Sequence, residues 1–377
     1  MNIGIPREIK NGEARVGATP EMVRSLKNEG HFVLVETGAG SASGYADAGY
    51  REAGAVISNR PEDIYACPLI VKVKELQPEE FSRIQSGTIL FGYQQMARDP
   101  RLLDAVLAQR ITCIAYENVL GVDGSRPLLA PMSTIAGLMS AQIALWALQR
   151  REGPLSGSGV LLPHLDGVPQ GRVLIVGEGI AGSAAARAFL ALECAVTVLG
   201  QRPSQLKTLE EQLVGYGKGT FRTGLATPED LAARSAEADV VVGAVSVPGR
   251  LAPKLITREM LRAMRPGSVF IDIGIDMGGI AETSRQTKIS DPMYMEEGVL
   301  HYCVPNIPAL VPRTATQALT AATLPYIRLL AERGLEHAVQ ASSGLREGLL
   351  VHDGHVVHPG LAEDTRRAFV PYLKNGA

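Results

Sequence analysis

Cysteine is scarce in this chain. Four occur in 377 residues, at positions 67, 113, 194 and 303, and none forms a CxxC pair. That spacing excludes a zinc-ligand set and a disulfide framework. Cys113, Cys194 and Cys303 lie in or beside apolar runs, where a thiol packs as a small hydrophobe. Charge of one sign is lacking too. Lys plus Arg number 37 and Asp plus Glu 39, for a formal net charge of −2. General nucleic-acid binders carry a basic surplus to neutralise phosphates, so that class is excluded. No run of 18 uncharged apolar residues occurs, so no membrane span is expected. The opening MNIGIPREIKNGEARV has no basic segment leading into an apolar one, so no secretory leader is expected either. The expectation is a soluble, cytoplasmic protein.

What is present is an ordinary globular composition, 46% apolar and 20% charged. Glycine, at 40 residues, exceeds the usual ~7%. Many glycines without a repeat suit an α/β protein, which needs tight strand–helix turns. At ~150 residues per domain the length predicts two or three domains.

Short apolar runs predict strands over 2–5, 32–35, 69–73, 88–91 and 111–115, with helical stretches between them. Thr19-Pro20-Glu21 is a helix start: a capping hydroxyl, proline at the first turn, then an acid. A long proline-free helix is predicted over 133–151, followed by a Gly/Ser loop. A second alternating region follows, with strands over 173–176, 195–199, 240–242 and 268–271. Its helices fall over 182–192, 203–214 and 228–236. Strands alternating with helices imply mostly parallel sheets. The chain ends in a helix over 314–332 and a β-like tail over 348–357 that turns at Asp353-Gly354. The tail needs a sheet to join, and the first domain offers one. The fold class is therefore α/β, with two Rossmann-like domains and parallel sheets, the first discontinuous. The predicted domains are 1–131 with 306–377, and 132–305 inserted between them.

The strand ending at Val176 runs into Gly177-Glu178-Gly179-Ile180-Ala181-Gly182 and then an Ala-rich helix. This is GxGxxG in its proper setting. Gly177 serves the tight turn, Gly179 lets backbone approach a pyrophosphate, and Gly182 lets helix and strand pack closely. The helix N-terminus supplies N–H donors. The next strand should end in an acid that holds the ribose 2′-OH of NAD. Here Gly200, Gln201 and Arg202 stand instead. Arg202 with no carboxylate beside it predicts a 2′-phosphate partner, hence NADP ahead of NAD.

Several long strings resemble alanine dehydrogenases and the nucleotide-binding subunit of proton-translocating transhydrogenase, which form one family. They are IGIPREIKNGEARVGATP at 3–20, IVKVKE at 70–75, PLLAPMSTIAG at 127–137 and VLIVGEGIAG at 173–182. GAVSVPGRLAPKLI at 243–256, IDIGIDMGG at 271–279 and YCVPNIPALVPRTAT at 302–316 complete them. The resemblance covers nearly the whole chain. It implies that Arg15 and Lys74 hold a substrate carboxylate and that Asp276 lies near the nicotinamide. It further implies that Asn306 and Met132 line the substrate pocket, and that Ser133, Val245, Ser246 and Val247 sit beside the cofactor. Homo-oligomers, hexamers or dimers, are implied as well. Read on their own, Arg15 is equally an ion-pair partner of Glu13 or Glu8, and Ser133 a helix cap. Lys72 and Lys74 should share one face of their strand. Asp272 should be structural.

One position departs from the resemblance. Alanine dehydrogenases carry a histidine acid–base four residues after the Phe of ILF, where this chain has Gln95. Glutamine exchanges no proton near neutral pH, whereas histidine, with a pKa near ~6.5, does. Neither His301 nor His164 replaces it in the local sequence. Lys74 is the best substitute, since burial lowers a lysine's pKa. The expected activity is NAD(P)-linked reductive amination or imine reduction on a small amino, keto or imino acid, and ordinary alanine turnover is not expected. The alternatives are a 2-keto acid reductase and a transhydrogenase-like module without substrate chemistry.

Overall fold

A computed structural model describes residues 1–246 and 251–372. The chain divides into two compact units, Met1–Met132 with Ala309–Ala377, and Ser133–Pro308.

Unit 1 opens with β1 (Asn2–Ile5), α1 (Pro20–Asn28), β2 (Phe32–Glu36), α2 (Asp47–Glu52) and β3 (Val56–Ser58). It continues through α3 (Pro61–Tyr65), β4 (Leu69–Val71), β5 (Ile89–Gly92), α4 (Pro100–Ala108) and β6 (Thr112–Ala115). Helix starts follow local chemistry. Thr19 caps α1 by accepting Met22 N–H at 3.2 Å, with Pro20 in the first turn. Asp99 caps α4 in the same way, ahead of Pro100. Helix α5 (Ala130–Ala147) begins in unit 1 and ends in unit 2. It starts three residues before the predicted Ser133, so Ser133 lies inside it and does not cap it.

Unit 2 contains β7 (Arg172–Val176), α6 (Ile180–Ala191), β8 (Ala195–Gly200), α7 (Pro203–Leu213), β9 (Phe221–Leu225) and α8 (Pro228–Glu237). Then come β10 (Val240–Gly243), α9 (Arg258–Arg262), β11 (Val269–Asp272), β12 (Met293–Glu296) and β13 (Val299–Tyr302). The chain returns to unit 1 with α10 (Pro312–Ala341), broken at Gly334, α11 (Ser343–Gly348), β14 (Leu349–His352), β15 (His355–Val356) and α12 (Pro359–Thr365).

The two sheets share a plan. Sheet 1 runs β15-β14-β6-β5-β4-β1-β2-β3, and sheet 2 runs β12-β13-β11-β10-β7-β8-β9. The parallel part of each has the doubly wound order, reversing direction beside its first strand. Central strands such as Val240–Gly243 are buried along their whole length, as parallel strands covered on both faces must be. Each fully buried Val, Ile or Leu contributes roughly 1.5–3 kcal/mol.

Neither sheet is wholly parallel. β12–β13 and β14–β15 are antiparallel hairpins at sheet edges, and β14 pairs antiparallel with β6. Each hairpin turns on two residues with positive φ: Glu297 (50°) and Gly298 (75°), Asp353 (47°) and Gly354 (81°). Such turns join only antiparallel neighbours. The cysteines are all buried and free. Among the described residues no helix is long and apolar enough to cross a membrane.

Candidate active site

In unit 2, the switch in strand order falls between β7 and β10, and the glycine loop follows β7 there. Gly177 has φ +118°, and a Cβ on it would meet Ala244 O at 2.6 Å. A Cβ on Gly182 would overlap Gly177 O, so α6 packs directly on the loop. Gly179 has open space where a Cβ would stand. The three glycines thus meet the turn, packing and open-approach requirements of a pyrophosphate cradle, with Ile180 and Ala181 starting the 12-residue helix α6. Close packing of α5 on α6 continues the theme: a Cβ on Gly137 would lie 2.8 Å from Ala184 Cβ. A separate hollow lined by Arg172, Ala195 and Thr220 lies at the opposite ends of these strands, away from the carboxyl edge where ligands of such sheets bind.

At the end of β8, Gly200 is buried while Gln201 and Arg202 are exposed. Arg202 is not without a carboxylate. Its Nε donates to Glu178 Oε1 at 2.6 Å. Here the expectation of an unopposed Arg202 fails. Its acid comes from the glycine loop, distant in sequence, so no local pattern revealed it. Burial pushes the Glu178 pKa up, but the Arg202 hydrogen bond and backbone N–H groups outweigh it and hold it below the usual range.

Two further loops meet this edge. Val245 follows β10, with its N 3.1 Å from where a Gly177 Cβ would stand and its O 2.7 Å from that of Gly274. Ser246, next along, is exposed, and Val247 lies outside the described residues. After β11 a single 3-10 turn, Ile275–Met277, presents Asp276 to solvent. Asn306 has φ +57° and donates its backbone N–H to Asp276 Oδ2 at 3.3 Å, so these two predicted residues come together. Asp272 is buried and accepts from Ile280 N (2.9 Å) and Ser284 Oγ (2.6 Å), which is a structural role.

Unit 1 repeats the geometry. Its strand order reverses between β1 and β4, and Arg15 and Lys74 lie in the segments that follow these two strands. Arg15 is 2% exposed. It is forked onto Glu13, with Nε to Oε1 at 2.7 Å and Nη2 to Oε2 at 2.5 Å, and its Nη1 touches Met132 Sδ at 3.0 Å. The ion pair with Glu13 thus exists and is buried. β4 ends at Val71, so the alternation that would put Lys72 and Lys74 on one face stops before either. Lys72 is fully buried between Glu80 (2.7 Å) and Glu8 (3.3 Å), which outweigh the desolvation and raise its pKa. Lys74 differs. Burial and the nearby Arg15 lower its pKa, with Glu13 opposing. Of the two lysines only Lys74 is moved toward proton exchange.

Gln95 follows β5. Its side chain is exposed and its φ is +45°, uncommon for a non-glycine residue. The backbone is held by Glu117, whose Oε1 accepts from Gln95 N at 2.8 Å and from Gln94 N at 3.0 Å. Burial raises the Glu117 pKa, against the pull of those N–H groups and of Lys74. Gln94 is fully buried, and neither atom of its amide has a hydrogen-bond partner among the described residues. Glu117 and Glu178 have no role in the sequence reading, and Glu13 enters it only as an ion-pair partner of Arg15. Glu13 lies two residues from Arg15 and is legible locally, whereas Glu117 and Glu178 reach their partners from distant segments. His301 is buried, bonded to Thr283 Oγ1 (2.8 Å) and Val299 O (2.9 Å), with burial lowering its pKa to about 4. It is structural. His164 faces Asp166 at 3.2 Å on the surface.

Residues 4–136 match the N-terminal domain model of the alanine dehydrogenase/PNT family, and residues 141–359 match its C-terminal domain model. The chain is 44% identical over 364 residues to an alanine dehydrogenase of Halomonas elongata, covering 96% of each chain. The same identity and coverage hold for alanine dehydrogenase 2 of Staphylococcus aureus strain Mu50. A solved L-alanine dehydrogenase superposes with TM-score 0.92 at 40% identity, covering 97% of this chain and 99% of that one. A transhydrogenase from Sinorhizobium meliloti superposes with TM-score 0.80 at 26% identity, covering 95% and 99%. With two doubly wound units, a glycine cradle in one and a buried Arg15 and Lys74 in the other, the chain belongs to the alanine dehydrogenase/PNT family of oxidoreductases.

Proposed function

We propose that this protein is an NAD(H)-linked amino-acid dehydrogenase. It would interconvert a small amino acid with its 2-oxo acid and an amine by way of the imine. The observation that carries this reading is the buried Arg15 beside Lys74, whose pKa is lowered, in the loops after β1 and β4. With its Nε–Nη2 edge held by Glu13, Arg15 would meet the substrate carboxylate through its Nη1–Nη2 edge, with Lys74 as a neighbouring hydrogen-bond donor. The Gly177–Gly182 cradle would hold a dinucleotide, which would supply hydride transfer to or from the substrate α-carbon. Lys74 Nζ would take the proton released as water adds to the imine and the adduct collapses, the work an imidazole does elsewhere. Gln95 would contribute hydrogen bonds to the substrate and Asp276 would hold the ribose or the substrate amine. Glu117 would keep the Gln95 backbone in place. Met132, against Arg15 in unit 1, and Asn306, against Asp276 in unit 2, would each contact substrate, and Ser133 would contact the cofactor.

The names of the relatives lend no support to setting alanine aside. Gln95 argues only that the proton is handled by another group. NADP ahead of NAD also loses its basis, since Arg202 is engaged by Glu178. The homo-oligomeric state implied by the resemblance is read by light scattering.

The test follows NADH and NADPH absorbance with pyruvate and larger 2-oxo acids, each with and without ammonium or a primary amine. Amine-dependent oxidation of NADH is the expected result. Oxidation without an amine would replace the reading with a 2-keto acid reductase. No turnover with any acid, while NADH still binds, would replace it with a nucleotide-binding module.

A further inference from the structure

Doubly wound dinucleotide domains read the adenosine ribose with an acid at the end of the second strand, about 20 residues beyond the glycine loop. In this chain that strand is β8, and its last residue is Gly200, which has no side chain. The position is nonetheless filled by an acid. A Cβ built on Gly200 would overlap Glu178 Oε2, lie 2.6 Å from Glu178 Cδ and 3.0 Å from Glu178 Cβ. Those are its three nearest neighbours, and the first two are closer than a Cβ tolerates. Gly200 has no positive φ that would require glycine. The close approach of Glu178 explains it instead.

Glu178 occupies the variable position between Gly177 and Gly179, and its side chain is only 6% exposed. Its Oε1 is engaged by Arg202 Nε, while the Arg202 side chain is 57% exposed. The two residues that decide the local charge therefore neutralise one another at the edge where the ribose belongs. A third group, the Gln201 backbone N–H, also supports the carboxylate.

We propose that Glu178 is the ribose-reading acid of this protein, moved from the end of β8 into the glycine loop, and that it selects NAD(H) over NADP(H). Glu178 Oε2 accepts the hydrogen bond of a free ribose 2′-OH. A 2′-phosphate meets a carboxylate there, and it gains Arg202 only by breaking the Glu178 pair. The proposal rests on the reading of unit 2 as a dinucleotide-binding domain.

The experiment is titration calorimetry of the full chain with NADH and with NADPH, which needs no turnover. The native protein is expected to bind NADH the more tightly. Glu178→Gln keeps the size and removes the charge. It is expected to weaken NADH roughly 10- to 100-fold, the worth of a hydrogen bond to a charged group, and to narrow or invert the ratio. Arg202→Ala is expected to keep the NADH preference. Because Glu178→Gln also unpairs Arg202, a double variant, E178G with G200D, returns the acid to the strand end. Recovery of the NADH preference in it separates ribose reading from loop stability. Preference of the native protein for NADPH would overturn the proposal. So would an unchanged ratio in Glu178→Gln, or failure of the double variant to recover the preference. Binding of neither nucleotide to the native chain would overturn the dinucleotide reading itself.

Discussion

Gln95 donates its backbone N–H to Glu117 Oε1 at 2.8 Å while holding φ at +45°. The acid at the end of β6 thereby stabilises an uncommon conformation at the end of β5. The residue at the acid–base position of the resemblance is thus positioned through its main chain, leaving its side chain exposed.

Replacing Glu117 tests that link. A glutamine loses the charge and turns an NH₂ toward Gln94 N–H, which also reaches Glu117 Oε2 at 3.3 Å. Glu117→Gln is expected to cost roughly 1–3 kcal/mol of stability and to lower turnover at least ~10-fold. Affinity for NADH, which the proposed cradle in unit 2 would set, should stay the same. Hydrogen exchange at the Gln94 and Gln95 amides should quicken. Unchanged exchange would show that Glu117 does not hold this loop.

Gln95→His restores an imidazole where the resemblance places one. Histidine tolerates the left-handed conformation comparatively well. Oxidation of the amino acid should accelerate at least ~10-fold, and up to the 10²–10⁴ that acid–base catalysis typically supplies. A new limb near pH ~6.5 should appear in the kcat/KM profile. A profile without that limb would place position 95 outside the proton transfer.

Lys74→Ala should lower turnover by roughly 10²–10⁴ while NADH binding, measured by calorimetry, holds. Lys74→Arg keeps the positive charge but cannot release a proton near neutral pH. Its KM for the acid should stay near native while kcat falls. Recovery of kcat in Lys74→Arg would reduce Lys74 to a carboxylate ligand.

The Arg15–Glu13 fork makes a prediction about acid stability. Burial opposes ionisation of Glu13, yet its bonds to Arg15 prevail and lower its pKa from 4.5 to about 2. The folded carboxylate thus holds its proton more weakly than the unfolded one. The resulting stability is complete above pH 4.5 and is lost as pH falls through 2. Its size is about 3 kcal/mol, and roughly half remains at pH 3. Urea unfolding of Glu13→Gln should show a deficit of that order or more at neutral pH, since Arg15 is left buried without its partner. The deficit should shrink by pH 3. A deficit independent of pH would mean that packing, not charge, is what Glu13 provides.

Much of the architecture was legible before any coordinate. Thr19-Pro20 starts a helix, the tail turns at Asp353-Gly354, and Gly177, Gly179 and Gly182 shape a cradle, because each effect acts over a few neighbouring residues. The hairpin turning at Glu297-Gly298 is not legible in the sequence, as a glutamate gives little warning of a positive φ. Charge pairing was legible only in part. Lys72 and Lys74 are alike in sequence, yet one lies between Glu8 and Glu80 and the other beside Arg15. Arg202 by itself points to a phosphate, but Glu178 from the glycine loop pairs with it. These partners come from separate loops, gathered at the carboxyl edge of a sheet by its strand order. Local propensity and glycine geometry were written along the chain. Which charges neutralise one another was decided by the fold, because an ion pair depends on distance in space and on exclusion of water, not on separation in sequence.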